Sequence, residues 1–216
     1  MPQALRFLGM KPWLILLFLL SLVALASRFA GFEVRPRGNS ELDVGTGIYT
    51  LPTGGTITDN RSGLVLEARY IQYKDGDFIR AQGATLKVRE GEFSANSLEY
   101  LQKPDTLRMS GVRFSSREFK ALSAQQGLLL KDDVLVLKGE VRSSEPALEA
   151  STLVVDTAKN QALVLGVFAF RDGATILRGN RPDSTLLLTF EAGRVRAITR
   201  VPPEVFNRLR PYADKL

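Results

Sequence analysis

Leu66-Glu67-Ala68-Arg69-Tyr70-Ile71-Gln72-Tyr73 decides the fold, because its pattern returns in Phe93-Ser94-Ala95-Asn96-Ser97-Leu98-Glu99-Tyr100, 27 residues on. Apolar and polar residues alternate in both, the period of a half-buried strand. The frame Ala-x-x-apolar-x-apolar recurs as Ala68/Ile71/Tyr73, Ala95/Leu98/Tyr100 and Ala150/Leu153/Val155. Ala121 reads as the marker of the remaining unit, which departs from the frame with Ala124 and Gln126 at the following places. Glycines that end an apolar strand run in step at Gly83, Gly111, Gly139 and Gly166, separated by 28, 28 and 27 residues. Self-similarity at a fixed period marks a repeat architecture. Each unit reads as one hairpin, an alanine-marked strand going out and a glycine-marked strand coming back, with the small residues letting a strongly curved sheet bend.

Outward from these strands the same character holds. Asp75-Gly76, Asp172-Gly173 and Ala192-Gly193 supply turn residues between apolar runs such as Thr106-Leu107-Arg108-Met109 and Val134-Leu135-Val136-Leu137. The expectation is an all-β body over 56–200, a sheet folded on itself with one apolar interior and two open ends. Residues 34–55 read as a Gly/Pro-punctuated linker, Thr185 to Arg200 as an extra hairpin, and 201–216 as a Pro-Pro-led tail. The inward positions are Leu66, Ala68, Ile71, Tyr73, Phe93, Leu98, Tyr100, Leu107, Met109, Val112, Phe114, Phe119, Leu135, Leu137, Val141, Leu153, Val155, Leu165 and Val167. Alternation alone does not distinguish a closed core from a groove.

Ahead of the body, Trp13 to Ala26 is uncharged, with Arg6 and Lys11 before it and Arg28 after it. One reading is a signal peptide cut after Ala24-Leu25-Ala26. The other, preferred, is an uncleaved single helix from Trp13 to Phe32, long enough to cross the roughly 30 Å of a bilayer core, within an anchor region 1–33. Both send the remainder out of the cytoplasm.

Composition narrows the chemistry. The 216 residues contain neither Cys nor His, with 29 Lys plus Arg against 23 Asp plus Glu. Ser-His-Asp and Cys-His nucleophiles, disulfides and the common zinc, haem and iron-sulfur ligand sets are excluded. No Lys/Arg block reads as a nucleic-acid patch. Asp75-Gly76-Asp77 and Asp132-Asp133 could ligate a hard cation, but turn positions favour Asp for local hydrogen bonding. Thr53-Gly54-Gly55-Thr56 lacks the Lys and the strand-to-helix setting of a phosphate-binding loop. No enzyme, no metal and no cofactor are expected.

The joint period of the strands Leu66 to Tyr73 and Phe93 to Tyr100, the returning Gly111-Val112 and Gly139-Glu140-Val141, and the closing Gly166-Val167-Phe168-Ala169-Phe170 with Gly173 and Leu177-Arg178-Gly179-Asn180 resembles the lipopolysaccharide-transport, OstA-like β-jellyroll family of the Gram-negative envelope. The resemblance covers about residues 61 to 180 and is nearest the anchored, LptC type, the LptA type being cleaved and soluble. It implies an open, twisted β-jellyroll whose inward residues hold lipopolysaccharide acyl chains. It also implies an inner-membrane, single-pass protein with its β domain in the periplasm. Its partners would be an LptBFG-like ABC transporter and a soluble LptA-like jellyroll, met through strand edges. Proline-free strands at about 63–73 and 173–179 are the expected edges, with Leu64, Leu66, Gly166, Ile176, Leu177 and Gly179 as edge residues. Thr185 to Arg200 and the tail depart from the family pattern.

Overall fold

A frame Ala-x-x-apolar requires the inward-facing parity of a strand to slip by one residue, and that slip is what builds this fold. The computed structural model describes residues 32–59, 64–88, 91–115, 119–132, 134–191 and 193–216. Among them sixteen strands form one sheet, with only antiparallel pairs. In chain order they are β1 Glu33–Pro36, β2 Glu41–Asp43, β3 Ile48–Leu51, β4 Gly55–Asp59, β5 Leu64–Ala68, β6 Tyr70–Lys74, β7 Phe78–Val88, β8 Gly91–Leu101, β9 Thr106–Ser115, β10 Leu122–Leu129, β11 Val134–Ser143, β12 Ala147–Asp156, β13 Gln161–Asp172, β14 Thr175–Gly179, β15 Thr185–Glu191 and β16 Arg194–Ile198.

The sheet bends along the line of repeat glycines. Gly83, Gly111, Gly139 and Gly166 all have positive φ, and each faces a side chain of the arm that precedes it: Arg69, Asn96, Gln125 and Ser151 respectively. A methyl group at Gly111 would collide with the Asn96 amide, so glycine is needed there for space as well as for φ. Those four facing residues each follow an alanine, at 68, 95, 124 and 150. The marker of the third unit is therefore the buried Ala124, and its frame reads Ala124/Gly127/Leu129. Ala121, the expected marker, is an exposed residue with φ 52°.

On one side of the bend a first layer holds β1, β4, β5, β14 and the adjoining halves of β7 to β13. On the other, a second layer holds β2, β3, β6, β15, β16 and the opposite halves. Side chains from both layers form a single buried cluster that includes Leu66, Phe93, Phe114, Leu137, Leu153 and Leu186. The all-β expectation holds, as an open sheet folded on itself.

One boundary changes and the tail gains structure. Residues 34–55 are not a linker: β1, β2 and β3 extend the sheet there, too short for alternation to show in the sequence. The tail 201–216 folds back onto the sheet. Pro203–Leu209 form the helix α1, led by Pro202 and Pro203, with fixed φ suited to a first turn, and Arg210–Lys215 continue as a 3-10 turn. Val205, Leu209 and Ala213 pack on Leu128, Val136, Val154, Leu163 and Leu187, the outward side of the second layer. Around that second core Arg208 pairs with the buried Asp156 and donates to Gln161 Oε1 at 2.6 Å. The Tyr212 hydroxyl donates to Asp132 at 2.7 Å, and Lys138 Nζ to the Leu216 carbonyl at 2.8 Å. The expected anchor over 1–33 lies almost wholly outside the described residues, and no helix among those described is long and apolar enough to cross a membrane.

Candidate functional site

The interior between the layers collects nearly every residue assigned to it. Leu66, Ala68, Ile71, Phe93, Leu98, Tyr100, Leu107, Met109, Val112, Phe114, Phe119, Leu135, Leu137, Val141, Leu153 and Val155 belong to one buried cluster, and Tyr73 packs at its margin. Leu165 and Val167 do not. Along β13 the inward residues are Ala162, Val164, Phe168 and Phe170, so Leu165 joins the outward core under α1 and Val167 is 51% exposed. The expected inward set is displaced by one residue there, because β13 is apolar on both faces and alternation marks neither.

The interior is closed off from solvent at its middle and more exposed at its two ends. Ile71, Leu66, Val141 and Leu153 are fully buried, whereas the half-buried members of the cluster are Phe32, Val34 and Tyr73 toward β1 and β3, and Leu177, Phe190, Val195 and Ala197 toward β14 and β16. Aromatic rings bridge the layers at both ends. Phe32 meets Tyr73 edge-on with ring centroids 5.6 Å apart, and within the second layer Tyr49 stacks on Tyr73 at 5.0 Å. At the far end Phe119 meets Phe190 at 5.0 Å. Burial, with Tyr49 and Asp75 nearby, pushes the Tyr73 phenol above its ordinary range. Among the inward side chains, the Tyr100 hydroxyl donates to Asp105 at 3.0 Å, and burial raises the pKa of both groups. Two surface concavities, of about 520 and 540 Å³, lie against the outer faces; Arg142, Arg171, Ile176 and Arg178 line the first and Gln72, Gln82, Ser110 and Lys215 the second.

The sheet ends differ from expectation on one side. Leu64 and Leu66 are not at an edge, because β4 covers β5 and β1 in turn covers β4. The edges on that side are β1 in the first layer and β2 in the second. On the other side Ile176, Leu177 and Gly179 lie on β14, which pairs only with β13 and is an edge. Gly166 lies in the bend of β13, its N–H donating to the Ser184 carbonyl at 3.0 Å. The second layer ends at β16, so the extra hairpin supplies a strand edge that its sequence does not reveal.

The acidic candidates serve turns or docking. Gly76 has φ 76° between Asp75 and Asp77, and Asp77 N donates to the Lys74 carbonyl at 3.1 Å. Asp132 accepts from Tyr212, and Asp133 lies outside the described residues. No group of three or more carboxylates that could hold a metal occurs among the described residues.

No family model matches the chain, and no curated protein matches it. Among solved structures it is similar to LptH, the LptA-homologous periplasmic component of the lipopolysaccharide transport device of Pseudomonas aeruginosa, at 13% identity and a TM-score of 0.38, covering 82% of this chain and 99% of that one.

Proposed function

We propose that the chain binds an amphipathic envelope glycolipid of the lipopolysaccharide class and relays it from an inner-membrane ABC transporter toward the outer membrane. Acyl chains enter between the two layers, the saccharide stays outside, and strand edges hand the lipid to a soluble LptA-like jellyroll. The observation that carries this reading is the single apolar cluster between the layers, closed at its middle and thinning to half-buried Phe, Tyr, Val and Leu side chains at two opposite ends. The resemblance over residues 61 to 180 supports the lipid class and the anchored arrangement, with Trp13 to Phe32 as the membrane span.

Binding, not catalysis, is the activity, and it needs no cofactor. Each acyl methylene removed from water contributes about 0.8 kcal/mol, so a few segments held between the layers suffice for a firm complex. Because the middle is closed off from solvent, the lipid must part the layers to reach it, replacing contacts between side chains with contacts to acyl chain.

That same closure favours one rival, a structural β-repeat scaffold of the envelope that carries no lipid. A photo-crosslinking residue separates the two. Placed at inward Phe114 or Tyr100 it captures envelope lipid in vivo, and placed at outward Arg113 or Glu99 it does not. Equal labelling at all four positions means adsorption, and no labelling at any favours the scaffold.

A further inference from the structure

On the outer face of the first layer, two cross-strand rows meet in the concavity of about 520 Å³ beside β14. One row runs Arg142, Glu149, Ala169, Arg178 across β11 to β14, and the next runs Ala147, Arg171, Ile176 across β12 to β14. Their chain neighbours Leu148, Phe168 and Phe170 are buried in the interior, so both rows face outward. The short side chains of Ala147 and Ala169 leave a hollow among longer neighbours, of which Ile176 is 59% exposed. Its volume falls in the range of small-molecule sites.

The charges in this hollow are left open. Elsewhere the outer faces match cations with acids across strands, as Arg80 with Glu99 at 2.7 Å and Lys87 with Glu67 at 2.9 Å. Here Arg178 stands opposite Ala169 and Arg171 opposite Ile176, which makes the two exposed arginines diagonal neighbours. Neither makes an ion pair among the described residues. Long side chains reach across a diagonal on a sheet face, and like charges there repel, so an anion seated between the two guanidinium groups relieves the repulsion. Two carboxylates adjoin. Glu140 lies 3.9 Å from Arg142, and Glu149 lines the hollow in register with Arg142 without pairing with a cation among the described residues. The hollow thus offers two guanidinium forks to a phosphate and one carboxylate acceptor to a hydroxyl.

The other side of β14 ties this hollow to the interior. Leu177 packs at the half-buried far end of the apolar cluster, while Ile176 and Arg178 flank it on the outside, and β14 pairs only with β13. A lipid whose acyl chains lie beside Leu177 carries its polar head past that edge, one strand's thickness from the arginines. We propose that the hollow binds a phosphorylated saccharide, the head of that glycolipid, with Arg171 and Arg178 clasping a phosphomonoester and Glu149 accepting from a sugar hydroxyl. This rests on the lipid reading above, and it adds where the head lies and what it must carry. An anionic membrane surface fits less well, because the site is concave and Glu149 would face the lipid phosphates.

Full-length protein in uncharged detergent micelles is titrated with glucose 1-phosphate, glucose and inorganic phosphate while the arginine Nε–H resonances are followed. Glucose 1-phosphate moves the Arg171 and Arg178 signals, glucose does not, and inorganic phosphate binds about fivefold more weakly, a gap that Glu149→Gln narrows. Purified lipopolysaccharide binds about tenfold more weakly when Arg171→Gln and Arg178→Gln are combined. Combining Arg194→Gln and Arg196→Gln, an equal loss of charge on exposed residues of β16, leaves that affinity unchanged. Phosphatase-treated lipopolysaccharide no longer distinguishes wild type from the Arg171/Arg178 variant. Silent arginine signals, inorganic phosphate bound as tightly as glucose 1-phosphate, equal losses in both double variants, or phosphatidylglycerol vesicles that move the same signals as strongly would each overturn the site. Lipid capture at Tyr100 separates this proposal from the reading beneath it. Capture with equal lipopolysaccharide affinity in wild type and the Arg171/Arg178 variant overturns the head-group site alone. Arginine signals that answer glucose 1-phosphate while Tyr100 captures nothing overturn the lipid reading alone.

Discussion

The second-layer halves of β11, β12 and β13 with β15, and those of β7, β8 and β9 with β6, lie in the same layer, yet they are held in different ways. The first group is apolar on both faces, the inward side meeting the interior and the outward side meeting Val205, Leu209 and Ala213. The second is apolar only inward, and its outward rows are Gln72, Arg80, Glu99 and Arg108 or Tyr70, Gln82, Ser97 and Ser110, joined by the Arg80–Glu99 pair at 2.7 Å and a Ser97–Ser110 hydrogen bond of 2.7 Å. Exposed pairs of this kind contribute little, whereas a second core resists local opening. A layer braced at one end and bare at the other parts at the bare end. Guest chains between the layers would therefore find their way in beside Phe32 and Tyr73 before Phe119 and Phe190.

Removing the brace is the severest way to break this contrast. Leu209→Ala, at a fully buried position of the second core, should cost about 2–5 kcal/mol in chemical denaturation. Amide exchange, slower in β11 to β13 than in β6 to β9 in the wild type, should then lose most of that difference. Asp156→Ala removes the partner of Arg208 and the acceptor of the Lys159 N–H, so a loss of about 1–3 kcal/mol is expected. Its effect should concentrate on the same braced strands.

Gly111→Ala tests the bend between the two layers. Its positive φ and the crowding by Asn96 predict a loss of about 1–3 kcal/mol, part of it recovered when Asn96→Ala is added. Gly166→Ala meets Ser151 no closer than 3.2 Å and the Pro182 carbonyl at 3.9 Å, and should cost less; equal costs would mean that φ alone sets the penalty. The smallest effect concerns the bare half. Burial raises the pKa of Asp105, so its carboxyl favours the fold when protonated and that contribution is lost as pH rises through the folded value. Asp105→Asn keeps an acceptor for Tyr100, suits φ 61° and removes the charge, so at neutral pH it should raise stability by no more than about half a kcal/mol. A falling melting temperature would refute that account.

Most of the interior is legible in the sequence because period-2 alternation and the Ala-x-x-apolar slip report directly which side of a sheet a residue faces. Legibility fails where both sides are apolar. In Ala162-Leu163-Val164-Leu165 every position looks inward, and only the helix that covers Leu163 and Leu165 explains why half of them are not. The available signal for an outer covering element is that this run has unbroken counterparts in Leu153-Val154-Val155 and Leu186-Leu187-Leu188, with no polar residue to mark a solvent face. Ala121 misleads because a marker three residues from Ala124 has nearly the right spacing, and only the bend shows which alanine precedes a slip. Strands β1 to β3 escape notice because three or four residues are too few to display a period, and β2 becomes an edge candidate only once its partner β3 is placed. Which edges are covered is a property of pairing between distant segments, to which local pattern is blind.

The residue that occupies the space beside each bend glycine has a consequence for how such a chain could be recombined. Arg69 stands over Gly83, Asn96 over Gly111, Gln125 over Gly139 and Ser151 over Gly166, and in every case the pair belongs to the outgoing and returning arms of one unit. A graft that carries both arms brings its own fitted hinge. A graft of a single arm would lay arginine where serine had been, or leave a void where an amide had filled it. Whole units are thus exchangeable parts, and the seams for shuffling or lengthening the chain fall between them, at the turns.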